Sequence, residues 1–233
     1  MRNIKNERAF TLAEVLITLG IIGVVAALTL PSLIQNYKNK ELITRTKRTY
    51  SNIQNAVLAA QQDNGNIGDN SALFDYSDGY AKVTENLSKY FNSAQYCKTK
   101  TQAECSNFYY NIAFSGKSYD STGTQRVDSA NGSKIILNDG AILYLSELIP
   151  NCDYTRNETH YNDKGESSIF VNHVQYCAII HFDVNGAKLP NQYGQDNFSV
   201  IITKEKVRPD PWNIVGGSAF KSIISGDEKL YTK

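Results

Sequence analysis

The stretch that decides the fold is FTLAEVLITLGIIGVVAALTL, which occupies residues 10–30. Its 21 residues would extend roughly 31 Å as an α-helix, about the thickness of the hydrocarbon core of a bilayer. A secretory signal has a shorter apolar run followed by small residues at a cleavage site, whereas residues 28–31 here read LTLP. We therefore expect a transmembrane helix that stays in the mature protein.

Glu14 is the single charged residue in this apolar stretch. A carboxylate in hydrocarbon costs free energy unless it is paired, and acids inside membrane segments usually mark a function. The alternative is an interfacial residue that simply reaches headgroup water, because Glu14 lies only four residues after Phe10. Under either interpretation the acid lies near the start of the membrane-spanning helix.

The residues around that start read RAFTLAEV, residues 8–15. This string resembles the prepilin peptidase site of type IV pilins and type II secretion pseudopilins, in which a short basic leader is removed before a hydrophobic residue. The resemblance implies cleavage between Ala9 and Phe10, methylation of the new amine of Phe10, and an assembly role for Glu14. The sequence departs from the family at Ala9, where Gly is usual, although Ala is similarly small.

The resemblance also implies a function. It is that of a structural subunit of a type IV pilus, or of a type II secretion or competence pseudopilus. The expected partners are prepilin peptidase, other pilin or pseudopilin subunits, an assembly platform with its ATPase, and membrane lipid. The alternative is a minor pilin at the filament tip that binds a secreted substrate, DNA or a surface. A net charge of +1 provides no general attraction for nucleic acid, so such a partner is not expected of the chain as a whole.

The expected location is the inner (cytoplasmic) membrane, crossed once, with the N-terminus in the cytoplasm. The C-terminal domain would then be exported into a periplasmic or cell-surface filament. Charge does not decide this orientation, because basic residues follow the span as well as precede it. The orientation rests on the pilin resemblance and on the cysteines, which all lie beyond the span.

Four cysteines occur in the chain, Cys97, Cys105, Cys152 and Cys177. An even number in this part fits an exported, oxidised domain with two disulfides, and the alternative is four reduced thiols in a cytosolic fold. Because sequence neighbours close loops at the lowest entropic cost, the expected pairs are Cys97–Cys105 and Cys152–Cys177.

Apolar residues continue at helical spacing after residue 30, at Tyr37, Ile43, Tyr50, Ile53, Val57 and Ala60. The first helix should therefore run from residue 10 to residue 64, where Asn64-Gly65 is a stop signal. The chain then divides into a cleaved leader (1–9), a transmembrane or filament-core helix (10–30), an amphipathic half of that helix (31–64) and an exported globular pilin-like domain (65–233).

Beyond the first helix, the pattern predicts a helix within residues 79–92, a loop-rich stretch over 93–133, and strands over 134–137, 141–145, 176–184 and 198–203. The first two strands flank the turn sequence Asn138-Asp139-Gly140 and should form a hairpin. The fold class is α+β, a long N-terminal helix packed on a small antiparallel sheet, because such a sheet cannot bury both of its faces alone. The pilin resemblance implies the same architecture.

No catalytic constellation is present in the sequence. The three histidines, His160, His173 and His181, lack the spacing of metal ligands, and no P-loop, nucleophile elbow or dinucleotide fingerprint occurs. We therefore do not expect an enzyme, although an enzyme on a signal anchor is a rival interpretation that Glu14 does not favour.

Calcium is the one cofactor that the sequence raises. Residues 182–198 contain DVNG, PN and GQDNF, which resembles a pattern in some bacterial prepilin-like proteins. Asp183, Asn185 and Asp196 have the hard oxygen ligands that calcium prefers. The alternative, which we favour, is that these residues shape turns by bonding to their own backbone.

Overall fold

The computed structural model describes residues 11–115, 127–161, 167–227 and 230. The predicted leader (1–9), which ends in Ala9, and the predicted new terminus Phe10 lie outside the described residues. The chain separates into two compact units, Met1–Glu41 and Leu42–Lys233. The helices are α1 (Leu12–Asp63), α2 (Gly79–Ser88) and α3 (Gly217–Ser225). The strands are β1 (Gln95–Cys97), β2 (Ile112–Ala113), β3 (Val127–Asp128), β4 (Lys134–Ile136), β5 (Ile142–Leu148), β6 (Tyr154–Tyr161), β7 (Ser167–Val174), β8 (Ala178–Asp183), β9 (Asn197–Ile202) and β10 (Val207–Pro209).

Helix α1 is continuous through Pro31 and ends where the sequence predicts. The N–H of Asn66 donates to the carbonyl of Gln61 (2.9 Å), and the N–H of Gly65 donates to that of Gln62 (3.2 Å). These are the two hydrogen bonds of a Schellman motif, which requires a left-handed residue after the helix, and Gly65 has a φ of +68°. The glycine therefore stops the helix by satisfying carbonyls that would otherwise lack partners.

The last part of α1 is amphipathic and contributes to the main hydrophobic core. Its buried residues recur at helical spacing: Ile43, Thr46, Thr49, Ile53, Ala56, Val57, Ala60 and Gln61. They share the core with Val83 and Leu87 of α2 and with Phe220 of α3. The sheet contributes the inner side chains of its strands, among them Leu143 and Ile180.

Six strands form one antiparallel sheet in the order β1-β4-β5-β8-β9-β10. Strands β2 and β3 form a separate pair, as do β6 and β7. The α+β class, with a long N-terminal helix and an antiparallel sheet, is thus confirmed. The predicted hairpin is also confirmed as β4–β5, and its turn contains Gly140 at a φ of +87°. The two later predicted strands correspond to β8 and β9, and the predicted second helix is α2.

Several elements were not predicted. The stretch over residues 93–133 contains β1, β2 and β3, although each is only two or three residues long and residues 116–126 are outside the described part. The β6–β7 hairpin was missed because β6 reads YTRNETHY, with few apolar residues to indicate a strand. Strand β10 and helix α3 are short, which weakens any periodic signal.

Both disulfides are present, and they join the pairs that the sequence predicts. Cys97–Cys105 lies in a small cluster with Tyr109, Ile136 and Ile142. Cys152–Cys177 lies in the main core and links the segment after β5 to the start of β8. The four half-cystines are all buried.

Candidate functional site

The described residues up to Glu41 contain no buried side chain. Large apolar side chains here are mostly more than half exposed, for example Leu16 at 61%, Ile22 at 63% and Leu28 at 75%. Within the part of the chain that the structure describes, α1 is the one helix long and apolar enough to cross a membrane. Soluble monomers rarely expose so large a contiguous apolar surface, so this surface is expected to have a covering partner.

Glu14 forms a capping box with Thr11. The Glu14 Oε2 atom accepts hydrogen bonds from the Thr11 backbone N–H (2.9 Å) and from the Thr11 hydroxyl (2.8 Å). In return, the Glu14 N–H donates to Thr11 Oγ1 (3.2 Å). Thr11 is thus the N-cap of α1, and Glu14 is its third residue. The role of Thr11 was not predicted, although the T-x-x-E pattern at residues 11–14 is its signal.

The two hydroxyls deeper in the apolar segment are satisfied within the helix. Thr18 Oγ1 donates to the carbonyl of Glu14 (2.9 Å), and Thr29 Oγ1 donates to that of Val25 (2.9 Å). No water is needed to pair these hydroxyls. The segment therefore suits an apolar environment, in which a polar group without a partner would cost several kcal/mol.

The structure brings together Asp183, the last residue of β8, and Asp196, which directly precedes β9, and it buries both. The side-chain N–H₂ of Asn197 donates to both carboxylates, at 2.9 Å to Asp183 Oδ2 and 2.8 Å to Asp196 Oδ1. Asp183 also accepts from the Tyr110 hydroxyl (2.8 Å) and from the Asn185 N–H (3.0 Å). Burial, together with the charge of Asp196, raises the pKa of Asp183 to about 7.

Asp196 fixes the loop between β8 and β9. Its carboxylate accepts from the N–H groups of Asn191 (2.9 Å) and Gln192 (2.8 Å). Among the described residues, the Oδ1 atoms of Asn185 and Asn197 are buried without a hydrogen-bond partner. No group of three or more His, Cys, Asp or Glu residues in the described part could hold a metal ion. A cation here would thus have to combine the two carboxylates with amide oxygens.

A buried polar cluster lies beside this pair and was not predicted. Asp128 Oδ2 accepts from the hydroxyls of Tyr144 (2.5 Å) and Tyr193 (2.8 Å), and the Tyr193 hydroxyl also contacts His181 Nδ1. Burial lowers the pKa of His181 to about 4, against the opposing effect of Asp128. The histidine is therefore neutral near pH 7, and the cluster is a satisfied internal network.

Comparison with known families gives one match. Residues 4–30 match the prokaryotic N-terminal methylation motif, and residues 31–233 lie outside the match. The chain therefore carries the prepilin-type cleavage and methylation signature of type IV pilins and pseudopilins. This motif implies processing by prepilin peptidase and assembly with other pilin subunits, and the apolar start of α1 is consistent with membrane anchoring. No curated protein and no solved structure shows significant similarity to the chain.

Proposed function

We propose that the chain is a structural subunit of a type IV pilus, or of a type II secretion or competence pseudopilus. Prepilin peptidase removes residues 1–9 by cutting between Ala9 and Phe10, and the new amine of Phe10 is methylated. Residues 10–30 first hold the subunit in the cytoplasmic membrane, with the N-terminus in the cytoplasm, and later join the filament core. Residues 65–233 form an exported domain in the filament shell, and an assembly platform with its ATPase extracts the subunit from lipid.

The observation that carries this proposal is the uncovered apolar surface of α1, most of which lies within the methylation motif at residues 4–30. Lipid covers such a surface before assembly, and the helices of neighbouring subunits cover it afterwards. Because Thr18 and Thr29 already bond to their own helix, packing against another helix leaves neither hydroxyl without a partner. The role is structural, as it is for the proteins that carry this motif.

Glu14 would set the register between subunits. Cleavage creates an amine on Phe10, within about 6 Å of axial rise from Glu14. Either charge alone is costly in hydrocarbon, whereas the amine of one subunit and the carboxylate of its neighbour partly neutralise each other. Both Thr11 bonds go to Oε2, and Oε1 accepts no hydrogen bond from the residues that the structure describes. Oε1 is therefore the acceptor that we assign to the neighbouring amine.

Two substitutions separate the capping role of Glu14 from the assembly role. Glu14→Gln keeps the shape and an acceptor for Thr11 but removes the charge. Thr11→Val removes the cap and keeps the charge. We expect Glu14→Gln to lower filament incorporation about tenfold or more, since about 1.4 kcal/mol already changes an equilibrium tenfold. Thr11→Val should assemble within about twofold of wild type, because the cap is made inside one subunit and its loss of about 0.5–2 kcal/mol is common to the free and the assembled state.

The measurement is an immunoblot of sheared filaments, with the membrane fraction as the control for insertion. If both variants lost filament incorporation equally, Glu14 would act only as a capping residue. Wild-type assembly of Glu14→Gln would refute the pairing mechanism, while leaving the membrane anchor in place.

A further inference from the structure

A groove of about 620 Å³ lies on the face of the sheet opposite the main core. Ile179, His181 and Ile201 contribute to its floor, whereas their neighbours Ile180 and Val200 point into the main core. Small-molecule sites typically measure about 300–1,000 Å³, so the groove has the size of a ligand site. It shares no residue with the apolar part of α1, so helix packing through that part leaves the groove open.

Trp212, the single tryptophan of the chain, lies on the rim of the groove with 56% of its surface exposed. Its backbone N–H donates to Asp210 Oδ1 (2.9 Å), and Asp210 Oδ2 accepts from the Ser199 hydroxyl (2.7 Å). Its carbonyl accepts from the N–H groups of Val215 (3.2 Å) and Gly217 (2.9 Å). The backbone is thus fixed by partners on both sides, while the large apolar ring faces solvent.

Two glycines hold the turn behind Trp212. A Cβ atom on Gly217 would lie 2.4 Å from the carbonyl carbon of Pro211, and one on Gly216 would lie 2.4 Å from the backbone N of Gly194. Gly216 also has a φ of +82°, which side chains disfavour. The turn therefore packs directly on neighbouring backbone, which fixes the main chain that carries Trp212.

Aromatic and polar groups line the rest of the groove. Tyr80 is 42% exposed, and its hydroxyl accepts from the N–H of Leu148 (3.3 Å). The Tyr176 hydroxyl donates to Glu147 Oε2 (2.6 Å). The amides of Asn172 and Gln175 and the guanidinium of Arg208 add hydrogen-bonding groups. The lining thus offers flat aromatic faces beside both donors and acceptors.

The charges of the groove narrow the class of ligand. Arg208 is offset by the carboxylates of Glu147 and Asp210, and the exposed His173 is paired with Asp153 at 2.5 Å. A site for nucleic acid would need a surplus of lysine and arginine, which this lining lacks. A ligand that is neutral, with apolar C–H faces and hydroxyl edges, matches the lining better.

We propose that the groove binds a neutral oligosaccharide. Sugar rings would stack on Trp212 and Tyr80, and their hydroxyls would pair with Gln175 and Arg208. Such a site gives an exported subunit a means of attaching to a glycan surface. The inference does not depend on filament assembly, because the groove is complete within one chain.

Trp212 makes the test direct, because the intrinsic tryptophan fluorescence of the protein comes from this rim alone. The full chain is purified in a detergent without a sugar headgroup and titrated with neutral oligosaccharides of glucose, galactose and N-acetylglucosamine. We expect a saturable change in emission with at least one of these probes. Tyr80→Ala and Gln175→Ala should each raise the Kd, the first by about tenfold.

Tyr76→Ala is the matched control, because Tyr76 is 53% exposed and does not line the groove. It should leave the Kd unchanged. Absence of a saturable change with every neutral probe at millimolar concentration would overturn the proposal. Peptides and anionic sugars are titrated in parallel, and a response confined to either would overturn the proposal as well, because the ligand class would then be wrong. Either result would leave the filament role untouched.

Discussion

The two carboxylate oxygens of Glu14 have different surroundings. Oε2 accepts both hydrogen bonds from Thr11, so the acid has a partner inside its own subunit. This local pairing explains how an isolated subunit can carry a carboxylate at the start of an apolar helix. The sequence revealed Glu14 because it is the single charge in residues 10–30. The sequence did not reveal that both hydrogen bonds from Thr11 go to Oε2, because this depends on the conformation of Thr11.

Asp183 and Asp196 are two buried acids whose carboxylates lie close together. Two buried carboxylates that share one amide donor repel each other, and a proton or a cation would relieve that repulsion. The sequence placed both acids in one turn-rich pattern. It gave no sign that Asn197 bridges them or that Tyr110, 73 positions away from Asp183, donates to it.

Calcium binding at Asp183, Asn185 and Asp196 is a prediction. If the ion binds only the folded state, millimolar calcium should raise the Tm and a chelator should lower it. Thermal unfolding of the full chain in detergent measures this, with magnesium at equal concentration as the control for ionic strength. Asp183→Asn should abolish the response. A wild-type Tm that is unchanged by calcium would leave these residues as turn formers only.

The pH dependence of stability gives an independent prediction for Asp183. Its folded-state pKa, about 7, lies above the ordinary value of 3.8, so its contribution to stability is lost as pH rises from about 4 to about 7. The Tm of wild type minus that of Asp183→Asn should therefore fall across this range, measured in the presence of a chelator. His181 acts in the opposite direction, since its pKa is lowered, but it is present in both proteins and largely cancels. Asp196, whose pKa burial also raises, interacts directly with Asp183, so the difference reports the titration of the pair. A difference that stays constant with pH would contradict the prediction.

At the scale of elements, α1 is one continuous helix whose first part is exposed and whose last part packs in the hydrophobic core. Its residues before Leu42 are exposed and almost wholly apolar as far as Ile34, whereas those after it alternate between core and solvent. The side-chain pattern changes although the backbone does not. The bounds of the helix were predictable to within two residues, because the apolar stretch marks its start and Asn64-Gly65 marks its end.

One pair of substitutions tests how far the domain depends on α1. Ile53 is fully buried and Leu58 is 48% exposed on the same helix. Ile53→Ala should lower the free energy of unfolding by about 2–5 kcal/mol, because it leaves a cavity in the shared core. Leu58→Ala should change it by only about 0.5 kcal/mol or less. Urea unfolding measures both, and equal small effects would mean that the sheet does not need the helix for its stability.

Other elements show why prediction succeeded or failed. The β4–β5 hairpin was readable because two apolar runs flank Asn138-Asp139-Gly140, and Gly140 supplies the left-handed turn conformation. The β6–β7 hairpin has no comparable signal, since the apolar residues of β7 pair with a mostly polar β6. The groove could not be predicted either. Trp212 and Tyr80 are 132 positions apart, and only the tertiary fold brings both to the lining of one groove.

At the scale of the whole molecule, the two units differ in what they bury. The described part of Met1–Glu41 has no buried side chain, whereas Leu42–Lys233 contains the hydrophobic core, both disulfides and the internal polar networks. The first unit therefore exposes apolar surface that needs a covering partner, whereas the second has a hydrophobic core of its own. The methylation motif at residues 4–30 lies wholly within the first unit.

The most direct test of the account is mass spectrometry of the N-terminus of the mature chain, purified from cells that contain prepilin peptidase. Our account predicts a first residue of Phe10 with a methylated amine, and retention of residues 10–30 in the same polypeptide. A matched strain without the peptidase should yield the uncleaved chain. Recovery of intact Met1 from the strain with the peptidase, or of a new terminus after residue 30, would contradict the proposal that this chain is a pilin-like subunit.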